Sequence, residues 1–81
     1  MGISIDELTG LGDFSSGPGW AQIKDIGKPG QRRHGLHQYW SALLDAAAAT
    51  LSEGEDFTVT TKVFLKHESP GWVDGFRVDL G

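Results

Sequence analysis

The sequence predicts an α+β domain in which one long amphipathic helix packs on a three-stranded antiparallel sheet. Three observations predict it. Residues 36–54 carry apolar side chains at helical spacing, and residues 57–67 alternate apolar and polar residues at the period of a strand. The turn residues Glu68-Ser69-Pro70-Gly71 then lead into a second alternating stretch, "FRVDL", as in a β-hairpin. The predicted order is a short N-terminal helix and arm over residues 1–19, then a single small β-α-β-β domain over residues 20–81.

Taken from the N-terminus, Ser4 is placed to cap a helix. Glu7 completes a capping box, and Ile3 and Leu8 occupy the positions of a hydrophobic staple. Gly10 is expected to end this helix after a turn or two. Residues 10–19, "GLGDFSSGPG", have no period and are rich in Gly and Ser, so they read as a loop or arm. Within it Leu11 and Phe14 are apolar enough to dock on a neighbouring subunit. Residues 20–26 form a short candidate strand, with Trp20, Gln22, Lys24 and Ile26 on one face and Ala21, Ile23 and Asp25 on the other. "GKPGQRRHG" (27–35) reads as loop.

The long helix sets Leu36, Trp40, Leu43, Leu44, Ala47 and Leu51 on one face, which places Trp40 in the helix–sheet core. Four consecutive alanines from Ala46 favour helix, and Gly54 is positioned to terminate it. In the strand that follows, Phe57, Val59, Thr61, Val63 and Leu65 share the face expected to lie under the helix. Phe76, Val78 and Leu80 point inward from the last strand, with Arg77 and Asp79 outward. Pro-Gly-Trp occurs twice, at 18–20 and 70–72, each time leading into a strand.

An 81-residue chain buries a modest core, and small domains commonly add disulfides, a metal or a second subunit. There is no cysteine, which removes the first remedy and fits a reducing compartment. Self-association is the expected remedy. A net charge of −4 argues against a nucleic-acid partner. The apolar runs are too short to span a membrane and the N-terminus lacks a signal-peptide pattern, so a cytoplasmic protein is expected.

Two constellations bear on ligands. Lys28, Arg32, Arg33 and His34 stand in the loop entering the long helix, whose free amides favour anions, so a small anionic ligand such as a phosphate is a candidate. His34, His37 and His67 are the only imidazoles and are weak candidates for a zinc site; surface or interface histidines are the plainer reading. The serines at 15, 16, 41, 52 and 69 lack a nucleophile motif, and Glu53, Glu55 and Asp56 read as a solvated acidic turn. No catalytic residue, resident metal or cofactor is assigned.

The strand–helix–strand–strand order, with "IKDIG" before the helix, "AAAATL" near its end and "VDGFRVDL" in the last strand, resembles dodecins at the level of topology. That resemblance implies assembly into hollow shells associated with flavin or calcium. The loop before the helix is longer here and the arm has no counterpart. Asp56-Phe57 stands where a flavin-binding dodecin places a tryptophan. The sequence therefore favours a small non-catalytic oligomerising or protein-binding module, with Leu11, Phe14, Trp20 and Trp72 as interface candidates. The alternative is a small-ligand or anion-binding protein, as a dodecin-like assembly or through a phosphate site at the long-helix N-terminus.

Overall fold

The computed structural model describes residues 4–26, 36–52, 54–68 and 71–81. Two helices lie on one face of a four-stranded antiparallel sheet. The elements run α1 (Ile5–Leu11), β1 (Asp13–Gly17), β2 (Trp20–Lys24), α2 (Leu36–Ala48), β3 (Val59–Leu65) and β4 (Val73–Leu80), and the strands stand side by side as β1-β2-β4-β3. The α+β class is as expected from the sequence. The fourth strand comes from the segment read as an arm.

α1 starts where the cap signature places it. The Ser4 hydroxyl accepts from the Glu7 N–H at 3.2 Å. The helix runs past Gly10 to Leu11 and stops at Gly12, where an added Cβ would collide with the backbone carbonyl of Lys24. That close approach lets the chain leave the helix directly into β1. Leu8 and Leu11 are buried, and they give the short helix its hold on the core.

β1 and β2 form a hairpin whose two-residue turn is Pro18-Gly19, closed by the pair Gly17 and Trp20. Pro18 fixes φ at the first turn position, and Gly19 takes φ +73 at the second, as a type II turn requires. The first Pro-Gly-Trp is thus itself a hairpin turn. The Gly19 N–H donates to the Thr50 hydroxyl (2.8 Å) and the Leu80 N–H to the Gly19 carbonyl (2.7 Å), tying the turn to the end of α2 and to β4. In the second copy Gly71 takes φ +90 and Trp72 directly precedes β4. Ser69 and Pro70 lie outside the described residues.

The core joins Leu8 and Leu11 of α1, Ala21 and Ile23 of β2, Tyr39, Ala42, Leu43, Ala46 and Ala47 of α2, and Phe76 and Val78 of β4. Relative to the expected face of the long helix, the buried stripe is turned toward Tyr39, Ala42 and Ala46, and Trp40 is on its margin, 38% exposed. The small alanines let α2 settle close over β2 and β4. α2 ends at Ala48, earlier than Gly54, in a tighter turn where Thr50 and Leu51 donate to Ala47 and Ala48.

A second correction concerns β3. Phe57, Val59, Val63 and Leu65 were expected under the helix, yet they are 38–64% exposed. A helix is about 10 Å across and strands are about 4.8 Å apart, so one helix covers about two strands. α2 sits on β2 and β4, and α1 sits beside α2 against β1. β3 lies beyond that cover.

Candidate functional site

The features that stand out are the outer edge of the sheet at β3, its solvent face, and a depression at the β3–β4 end. The β3 edge follows from register. β3 pairs with β4 through Val59 with Leu80, Thr61 with Val78 and Val63 with Phe76. Backbone bonds just beyond the strand fix which groups face β4. The Gly81 N–H donates to the Thr58 carbonyl at 2.9 Å and the Lys66 N–H to the Trp72 carbonyl at 2.7 Å. Even-numbered residues of β3 therefore bond to β4, and alternation turns the N–H and C=O of Val59, Thr61, Val63 and Leu65 outward. Among the described residues no strand pairs with that side.

The same four residues carry the helix-side face of the strand, because their partners Val78 and Phe76 are in the core. Outward backbone groups that no described strand pairs and exposed apolar side chains thus coincide on one line. Trp40 borders it. Its indole N–H donates to the Thr61 hydroxyl at 2.8 Å, which holds the ring at the boundary between α2 and β3. Lys62 is the charged residue within the strand, and it points to the opposite face.

On the solvent face of the sheet several charged and aromatic side chains pair with one another. Arg77 donates to both oxygens of Asp79, from Nε at 2.8 Å and from Nη2 at 3.0 Å, and a longer bond reaches Gln22 at 3.3 Å. These hydrogen bonds hold the Asp79 carboxyl below the usual carboxylate range and raise Arg77 further above its own. The Arg77 guanidinium lies 4.4 Å from the centre of the Trp20 ring, whose indole also lies against Gly17. Lys24 and Lys62 flank the Phe64 ring at 4.5 Å and 5.2 Å. Trp20 is therefore held on the sheet by its cross-strand neighbours.

Of the other interface candidates, Leu11 is in the core, which removes it from a free surface. Phe14 is half-buried against the core, and Trp72 is 55% exposed before β4. Lys28, Arg32, Arg33 and His34 lie outside the described residues. His37 is exposed on α2. His67 lies with Asp25, Lys66, Glu68 and Asp74 on an open depression of about 330 Å³ at the end of the β3–β4 hairpin. Among the described residues no group of three His, Cys, Asp or Glu side chains is gathered closely enough to hold a metal ion. Nor is any described helix long and apolar enough to cross a membrane.

The chain matches no protein-family model, no curated protein sequence and no solved structure. Nothing in these comparisons indicates catalysis.

The sequence reading missed the β3 edge because it assigned Phe57, Val59, Val63 and Leu65 to the core. A usable signal was present. "FTVTTKVFL" is rich in β-branched residues, has no Pro or Gly, and has a single long helix upstream of it to cover the sheet.

Proposed function

We propose that the protein is a non-catalytic oligomerising or protein-binding module that recruits its partner by strand addition at the outer edge of β3. One observation carries this reading: Val59, Thr61, Val63 and Leu65 combine outward backbone donors and acceptors with an exposed apolar face. An incoming strand supplies hydrogen bonds to the first and covers the second, which is how β-augmentation gains both affinity and side-chain selectivity. Bare edges of this kind are normally blunted by shortness, proline, charge or bulges; β3 has Lys62 at its middle and a register shift between Phe64 and Leu65 near its end. The expected cytoplasmic setting remains part of this reading, as does the absence of a nucleic-acid partner, through the −4 charge.

The test is amide hydrogen exchange at increasing protein concentration, read together with mass by light scattering. The amides of Val59, Thr61, Val63 and Leu65 should exchange freely when dilute and become protected as the mass rises above the monomer. A chain that stays monomeric at high concentration, with those four amides unprotected throughout, contradicts self-association at this edge.

A further inference from the structure

We infer that the strand received by β3 is β3 of a second copy, running antiparallel, with Thr61 facing Thr61 on a two-fold axis. This rests on the β3 edge being the association surface and adds the partner and the register. The outward backbone groups belong to odd-numbered residues, so only registers that pair odd with odd close hydrogen bonds. Among these, the Thr61-centred register uses a near-palindrome in the sequence. Phe57, Val59, Thr61, Val63 and Leu65 read apolar, apolar, hydroxyl, apolar, apolar from either end. Val59 then meets Val63 of the second copy, and Phe57 meets Leu65. All four exposed apolar side chains find apolar partners, and the axis carries a Thr–Thr pair, a favourable cross-strand combination.

Charge supports the same register. Carried past the strand ends, it sets Lys66 opposite Asp56 of the second copy and His67 opposite Glu55, each twice by symmetry. Lys62 faces Thr60. Sliding by one pairing step centres the axis on Lys62 instead, which brings two like charges face to face and leaves Phe57 opposite His67. Pairing β3 with β1 of another copy is disfavoured for a different reason. β1 is five residues long, and its "DFSSG" offers no matching apolar line. Such a head-to-tail contact would have to close as a larger ring or propagate as a filament, whereas β3 with β3 closes as a dimer. In that dimer the indole of Trp40, bonded to Thr61, lies beside the axis from each copy.

The chain has no cysteine, so single introduced cysteines report the register directly. Residues facing each other in a hydrogen-bonded antiparallel pair have Cα atoms about 5.5 Å apart, within disulfide range. Thr61→Cys should form a disulfide dimer readily under mild oxidation, and Lys62→Cys should remain largely a thiol. Linking of the Lys62→Cys chain in place of the Thr61→Cys chain overturns the register. So does failure of both to link while the unaltered chain still dimerises, an outcome that leaves strand addition at β3 standing. A monomeric unaltered chain overturns the inference and leaves strand addition at β3 only for a partner other than a second copy.

Should Thr61→Cys disturb the fold through the loss of the Trp40 bond, charge exchange decides instead. Lys66→Glu or Asp56→Lys alone should weaken the dimer several-fold, and the two together should restore it. A double variant no tighter than the singles overturns the inference.

Discussion

The two edges of the sheet are built on different terms. β1 is short, carries Asp13 and two serines, and is bounded by Gly12 and Pro18. Its one large apolar residue, Phe14, packs on the core beside α1. β3 is seven residues long, rich in β-branched side chains, free of Pro and Gly, and has no described helix over it. The first edge ends the sheet, and the second leaves it open. The difference comes from where the helices stand, since α1 covers β1 and α2 covers the central pair β2 and β4. An exposed apolar side chain taken singly needs no explanation, but a line of them along unpaired backbone does.

That contrast can be broken most severely from the covered side. Leu8 is fully buried and holds α1 on the core, so Leu8→Ala should cost about 2–5 kcal/mol of stability, read as a lowered urea midpoint. A loss near zero would mean that α1 does not clamp the β1 side. Next in size is the boundary residue. Trp40→Phe keeps most of the ring and removes the donor to Thr61, with an expected loss of about 0.5–1.5 kcal/mol in the same measurement. Val63→Lys should change monomer stability by only about 0.5 kcal/mol, because Val63 is already half in solvent. A core-sized loss there would mean that β3 is covered after all.

The smallest effect is expected on the solvent face. Asp79 has a folded pKa below its ordinary value of about 3.9, so its bonds with Arg77 stabilise the fold at neutral pH. That contribution fades as the pH falls through the lowered folded value. Asp79→Asn should therefore narrow, slightly, the drop in thermal midpoint between about pH 7 and about pH 3. An unchanged or widened drop would show that the pair contributes nothing to acid sensitivity. The effect is small because both side chains are partly exposed and screened.

Much of the fold was legible in the sequence for local reasons. The Ser4 cap, the strands expected at residues 20–26 and 76–80, and the helix from Leu36 are set by spacing and by residues close in the chain. The arm was misread because β1 has no apolar period. "DFSSG" becomes a strand through its pairing with β2 and the Pro18-Gly19 turn, which is information held in the partner. Trp40 and the β3 face were misplaced for a related reason. Periodicity tells which residues share a face, not whether another element is wide enough to cover it. The candidate site was therefore legible as a pattern and illegible as a surface.

The most direct measurement compares mass in solution for three chains at matched micromolar concentration: the unaltered protein, Val63→Lys on the open edge, and Ser15→Lys on the closed one. The account predicts a mass above the monomer for the unaltered protein and for Ser15→Lys, and a folded monomer for Val63→Lys. An unaltered chain that is monomeric, or an assembly that survives Val63→Lys and dissolves with Ser15→Lys, would contradict it.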